Sequence, residues 1–263
     1  MIDWNRVNRN VRGGINISRN VSLEGRTSMR VGGPAAFLAE PRNFESLSAL
    51  IRELHERELR WMILGGGSNT IFEDKGFDGV IVSLGKGFQY IRRRDECRIS
   101  VGAETYLPGL VKRTLDFGLS GLEFCHGIPG TVGGAAAGNA GVDGCGIHDC
   151  VIALHGLTRS GEPVTLHRGD YEYGYRRFER RDLIITSLEL ELRPGEESSR
   201  EKLMKKYRAV RKRQPARTGT TGSVFKNPEG DSAGRLIDAA GLKGRSRGGA
   251  CISPKHGNWI VNH

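Results

Sequence analysis

Leu47, Leu50, Ile51 and Leu54 recur at helical spacing behind Asn43, a residue suited to an N-cap, and predict a helix running to about Glu58. The apolar run Trp61-Met-Ile-Leu64 follows as a strand, and Val80-Ile-Val-Ser-Leu84 as another. Further strands are predicted over Phe88 to Arg94 and Arg98 to Gly102, with a helix from Leu107 to Phe117. Val151 to Leu157 and Pro163 to His167 flank Arg159-Ser-Gly161 as a hairpin, and Leu183 to Leu192 alternates like a half-buried strand. Pro194-Gly195 is the clearest boundary. Beyond it Ser198 and Glu201 suggest a capping box, with Leu203, Tyr207 and Val210 on one helical face. A short helix from Ser232 to Ala240, stopped by Gly241, and a last strand at Trp259 to Val261 complete the pattern.

Two segments break this rhythm by lacking side chains. Gly121 to Gly141 is rich in Gly and Ala, and its Pro129-Gly-Thr131 lead-in suits a helical turn that aims its first free N–H groups at an anion. A small-residue helix packed against a sheet accounts equally well for that stretch taken alone. The second cluster, Leu64-Gly-Gly-Gly-Ser-Asn69, stands at the end of a predicted strand and favours a nucleotide-like cofactor cradled by backbone. It is not a Rossmann fingerprint: no long helix follows, only Ile71 to Gly76 and another strand.

Composition narrows the class. A chain of 263 residues with 37% hydrophobic and 27% charged residues is a soluble globular protein able to form two or three lobes. The Met1-Ile-Asp-Trp-Asn-Arg6 start lacks a leader's apolar run, so the cytoplasm is the expected location and no membrane partner is expected. Five cysteines without a Cys-x-x-Cys pair read as reduced thiols, and no metal site is expected. The net charge of +10 comes from scattered basic clusters with 7% aromatics, which favours attraction of polyanionic small molecules over nucleic acid. His126, His148 and His256 have no spaced partners and read as loop or packing residues.

The motifs together resemble the flavin-dependent UDP-N-acetylenolpyruvoylglucosamine reductases. They are Thr27-Ser-Met-Arg-Val-Gly-Gly-Pro-Ala35, Leu64 to Asn69, Gly118-Leu-Ser-Gly-Leu-Glu-Phe124, Gly127-Ile-Pro-Gly-Thr-Val-Gly-Gly134 and Asn139-Ala-Gly141. Gly222-Ser-Val-Phe-Lys-Asn-Pro228, Ala240-Gly-Leu-Lys-Gly244 and Ser253-Pro-Lys-His256 follow in family order. The resemblance implies an α+β architecture: a two-subdomain FAD-binding fold of the vanillyl-alcohol-oxidase/PCMH type (1–86 and 87–195), then a smaller α+β substrate-binding lobe (196–263). It implies FAD bound by Gly65, Gly66, Gly67, Ser68 and Asn69, by Gly127, Ile128, Pro129, Gly130, Thr131, Gly133 and Gly134, and by Asn139, Ala140 and Gly141. NADPH is the implied reductant, a UDP-sugar the partner, and a monomer the expected state.

In the implied chemistry hydride passes from NADPH through flavin to the enolpyruvyl group of the sugar nucleotide. Negative charge then develops beside a carboxylate, so the site needs a cation and a proton donor. Arg176, in Tyr173-Gly-Tyr-Arg176, matches the family arginine on the carboxylate, and Ser223 matches the proton donor, with Lys226 or Lys255 as sources of a favourable field. Without that context Ser223 reads as a turn serine. Arg213, Lys226, Asn227 and Lys255 are the candidates for diphosphate or sugar contacts. Two departures from the family stand out. The chain stops at Asn262-His263, where the family continues with a segment that bears a catalytic glutamate, and neither Glu229 nor Asp231 takes that place by the motif. After Arg176 the sequence Arg177-Phe178 is shorter than the family's spacing and lacks its serine. An active reductase is the first reading, and a catalytically impaired FAD-binding protein of the same fold is the alternative.

Overall fold

Two extended segments that the apolar pattern does not announce open the first sheet: β1 (Ile15–Ser22) and β2 (Pro34–Pro41). The computed structural model of the protein describes residues 14–215 and 219–263, so the Met1 to Arg6 start read above lies outside the described residues. β1 exposes most of its residues and pairs antiparallel with β2 at the sheet edge. After β2 comes α1 (Phe44–Glu56), where Asn43 and Ser46 form a reciprocal capping box, with Ser46 N–H donating to Asn43 Oδ1 at 2.9 Å. Leu47, Leu50, Ile51 and Leu54 are completely buried on its inner face. Each such side chain contributes about 1.5–3 kcal/mol relative to exposure. The helix leads into β3 (Trp61–Ile63) and then β4 (Phe77–Val82), both parallel to the strands beside them, in the order β1-β2-β4-β3.

The second sheet is antiparallel throughout. It comprises β5 (Ile91–Arg93), β6 (Arg98–Gly102), β7 (Val151–Leu157), β8 (Pro163–His167) and β9 (Ile184–Glu191), in the order β8-β7-β9-β6-β5. The expected strand at Phe88 is shorter than the pattern suggests, because Lys86–Phe88 forms a single 3₁₀ turn first. Between β6 and β7 lie α2 (Leu107–Asp116) and the six-residue α3 (Val132–Ala137), which forms inside the stretch read as a Gly-Ala loop. Thr131 caps α3 by accepting from Gly134 N–H at 3.3 Å. The Tyr173–Gly174 and Arg177–Phe178 segments form a small hairpin between β8 and β9.

α4 (Glu197–Lys212) starts ahead of Ser198, without a side-chain cap, so the predicted Ser198–Glu201 capping box does not form. Arg200 holds this helix start instead: Nε donates to Gly195 O at 3.0 Å and Nη1 to Leu115 O at 2.5 Å, at the end of α2. α5 (Ala233–Ala239) is capped by Ser232, and β10 (Ser246–Arg247), β11 (Ala250–Ile252) and β12 (Ile260–Asn262) form a final antiparallel sheet. One apolar core runs from α1 and the first sheet through the second sheet to Met204 and Tyr207 of α4. Leu23, Ala35, Leu38, Leu64, Phe72, Phe77 and Ile81 form a smaller one on the other face of the first sheet. Among the described residues no helix is long and apolar enough to cross a membrane.

Candidate active site

The two glycine clusters, 61 positions apart at their hydrogen bond, are built against each other. Ser68 Oγ donates to Pro129 O at 3.2 Å. A Cβ added to Gly66 would lie 2.8 Å from Gly130 Cα, and one added to Gly65 would lie 2.6 Å from Thr131 Oγ1. Gly67 has φ +61°, and its absent Cβ would sit 1.9 Å from Arg26 O. Much of the glycine content therefore serves loop-on-loop contact. Gly130 belongs to that contact, facing Ser68 and Gly66 and lying outside the cavity wall.

The N–H groups separate the two loops by role. Gly65, Gly66, Gly67, Ser68 and Asn69 donate to no acceptor among the described residues. The first N–H groups of α3, which the sequence aimed at an anion, are already used. Val132 donates to Thr105 O at 2.9 Å, Gly133 to Ala103 O at 2.8 Å, and Gly134 to Thr131 Oγ1 at 3.3 Å. That correction has a simple cause: the turn at residues 103–105 lies against the helix start and supplies the Ala103 and Thr105 carbonyls, while Leu107 N–H, at the head of α2, donates to Gly130 O at 3.0 Å.

A cavity of about 1190 Å³ opens on these loops. It exceeds the roughly 300–1,000 Å³ of a typical single-ligand pocket, as a dinucleotide plus a second substrate would require. Its wall takes in Gly65 to Asn69, and Gly127, Ile128, Pro129, Thr131, Gly133 and Gly134 from the second loop. Asn139, Ala140 and Gly141 follow, then Tyr175 and Arg176, residues 182–185 at the start of β9, and Ser223, Asn227 and Trp259 from the last lobe. Trp61 and Arg159 line it as well, with the Arg159 guanidinium 4.3 Å from the Trp61 ring centroid.

Arg176 sits at the tip of the small hairpin with φ +52°, and its Nη1 is buried without a hydrogen-bond partner. A guanidinium nitrogen withdrawn from water and left unpaired in a cavity wall is suited to receive an anion. The hairpin is fixed from below. Asn139 Nδ2 donates to Gly174 O at 2.9 Å, and Asn139 Oδ1 accepts from His148 N–H at 3.2 Å, so the Asn139 side chain is occupied in shaping the wall. The fully buried His148 ring stacks on Tyr173 and Phe178 at 5.2 and 4.7 Å, as the packing histidine expected from the sequence. Its Nε2 lies 2.7 Å from Ala136 O and its Nδ1 3.2 Å from Tyr171 Oη, and burial holds its pKa below the ordinary histidine value. The neutral ring donates through Nε2 and accepts the Tyr171 hydroxyl at Nδ1.

Ser223 lies in the wall, bridged through its backbone to Trp259. Asn227 is there too, with its N–H 3.4 Å from Tyr175 Oη. The structure does not place Arg213, Lys226 or Lys255 in the cavity wall; all three are exposed outside it, whereas Arg176 does line it. The loop of Ser223 is hung on the loop of Gly67 through one residue. Ser28 N–H donates to Gly67 O at 3.0 Å, while Ser28 O accepts from Gly219 N–H at 2.8 Å and Thr220 N–H at 3.2 Å. Sequence reasoning missed Glu104, Trp61, Arg159 and Trp259 as wall residues. None stands in a glycine motif; only the structure draws them together.

Comparison with known proteins agrees with this geometry. Residues 35–167 match the FAD binding domain family, and residues 214–263 match the family of the UDP-N-acetylenolpyruvoylglucosamine reductase C-terminal domain. The chain is 39% identical over 241 residues to UDP-N-acetylenolpyruvoylglucosamine reductase of Heliobacterium modesticaldum, covering 90% of this chain and 76% of that protein. The crystal structure of UDP-N-acetylenolpyruvylglucosamine reductase from Thermus caldophilus superposes with a TM-score of 0.85 at 36% identity, covering 94% of this chain and 88% of that one. A variant of Phl p 4, a glucose dehydrogenase, shares the fold alone: TM-score 0.55, 11% identity, 73% of this chain and 44% of that one. The fold is the α+β FAD-binding type inferred from the sequence, and the chain belongs to the UDP-N-acetylenolpyruvoylglucosamine reductase family of FAD-dependent oxidoreductases.

Proposed function

We propose that the chain reduces UDP-N-acetylglucosamine enolpyruvate to UDP-N-acetylmuramate, with NADPH as reductant. The observation that carries this reading is the buried, unpartnered Arg176 Nη1 in the same wall as Ser223 and the free N–H groups of Gly65 to Asn69. The residues fit FAD. Five successive unused N–H donors in the cavity wall suit a diphosphate. When bound, FAD supplies the two-electron relay between NADPH and the vinyl carbon of the substrate.

The protein's own part follows from the charge that the reaction creates. Hydride arriving at one vinyl carbon leaves negative charge on its neighbour, delocalised into the attached carboxylate. Arg176 pairs with that carboxylate, and its hold strengthens as charge builds. Ser223 delivers the proton to the neighbouring carbon, completing addition of H⁻ and H⁺ across the double bond. The Arg176 charge in the same wall favours the serine alkoxide left behind.

Rapid mixing tests the assignment. Ser223→Ala leaves flavin reduction by NADPH within about twofold and slows reoxidation by the enolpyruvyl sugar by 10²-fold or more, the usual worth of a general acid. Equal slowing of both half-reactions, or a wild-type flavin that the sugar does not reoxidise, overturns it.

A further inference from the structure

Glu104 is a wall residue that the proposed reaction does not use. Its backbone is fixed on both sides: Glu104 N–H donates to Phe88 O at 3.0 Å, and the flanking Ala103 and Thr105 carbonyls accept from Gly133 and Val132. The carboxyl is half-buried, with no hydrogen-bond or ion-pair partner among the described residues. Arg159, Arg176 and Arg181 share the wall but make no salt bridge to it. The charged group acting on it from β2 is another carboxylate, Glu40, itself paired with Arg26 at 3.4 Å. On the segment before β5, Tyr90 carries Arg92 over its ring at 4.6 Å; α3 has no ionisable residue, and β9 meets residue 103 through Thr186 O. Burial, and then Glu40, push the Glu104 carboxyl up to about 7.

A diphosphate brings two more negative charges into this cavity. An ionised Glu104 opposes them, whereas a neutral carboxyl loses that repulsion and gains an O–H donor for a phosphate or hydroxyl oxygen of the ligand. We propose that Glu104 is a proton-coupled contact for FAD: its carboxyl takes up one proton as the dinucleotide binds and donates its O–H to it. The inference rests on the cavity being the FAD site and adds a pH dependence to that site. With the free carboxyl half-ionised near pH 7 and the bound one neutral, FAD affinity is constant in acid and falls above neutrality, about tenfold between pH 6 and pH 8.

The test is titration of FAD into the flavin-free full chain at pH 6, 7 and 8, followed by flavin fluorescence, beside calorimetry in two buffers of different ionisation heat. The wild type weakens about tenfold across that range and takes up nearly one proton per FAD at pH 8. Glu104→Gln, which keeps a donor but cannot ionise, stays within about twofold. A Gln variant with the wild-type slope, or binding without proton uptake, overturns the inference and leaves the FAD site standing. Failure to bind FAD at any pH overturns both. The proton count is made on the wild type, so the inference is testable even where the variant folds poorly.

Discussion

Replacing Gly67 with alanine tests whether the first glycine loop holds the diphosphate. The new Cβ lies 1.9 Å from Arg26 O, and ordinary contact begins near 3.4 Å, so the loop must retreat by about 1.5 Å (3.4 − 1.9). Hydrogen bonds of 2.7–3.2 Å do not survive such a shift. Two lost charge-assisted bonds, each about 1.5–3 kcal/mol, amount to roughly 3–6 kcal/mol, which raises the Kd for FAD at least about a hundredfold. Left-handed backbone at φ +61° adds roughly 1–2 kcal/mol to the folded state's free energy. Gly118→Ala separates the two effects: Gly118 has φ +75° with nothing within 4 Å of its added Cβ, so it shows strain alone. Fluorescence titration gives the Kd and urea unfolding the stability. The expected result is loss of stability in both variants and loss of FAD affinity in Gly67→Ala only. A Gly67→Ala chain that binds FAD within threefold of wild type refutes the cradle.

Arg176→Met raises KM for the enolpyruvyl sugar more than tenfold and lowers kcat, with FAD affinity within about twofold, as steady-state kinetics and flavin titration will show. Burial keeps His148 neutral in the fold, while the unfolded chain binds a proton as pH drops below the ordinary histidine value; stability is therefore lost on going from pH 7 to pH 5. Urea midpoints at three pH values check this, and His148→Gln flattens the slope. Arg200→Ala removes both carbonyl contacts that pin α4 to α2 and destabilises by about 2 kcal/mol, read by urea unfolding, without changing FAD affinity.

What was legible in the sequence had local causes. α1 follows from one capping residue and a 3.6-residue apolar period, and the β7–β8 hairpin from its Ser-Gly turn. β1 escaped because the alternation of Ile15, Ile17 and Val21 is interrupted by Arg19, and Asn20 beside it takes φ +50° at the sheet edge. α3 was left open between a loop and a small-residue helix, because Gly133 and Gly134 weaken its helical signal; Thr131 and the packing of Gly133 on Ala103 hold it. At the site, the glycine loops and Arg176 were marked by motifs, and the structure places them around one cavity. The division of labour between the loops was not legible, since which N–H groups are consumed depends on residues 103–107 lying alongside. Nor was it legible that Arg213, Lys226 and Lys255 stand exposed outside the cavity wall, since their charge says nothing of their place in the fold.

The Ser28 main chain joins two loops that the proposed chemistry uses in turn. Its N–H restrains the carbonyl of Gly67 and its oxygen restrains Gly219 and Thr220, so any settling of the diphosphate loop is handed across one residue to the strand of chain that ends in Ser223. A loaded cofactor loop thus bears on the position of the proposed proton donor. Thermodynamic reciprocity makes any such effect mutual: if FAD steadies the Ser223 loop for substrate, bound substrate tightens FAD by the same factor in affinity. On that coupling, FAD is held more weakly by molecules with no substrate bound.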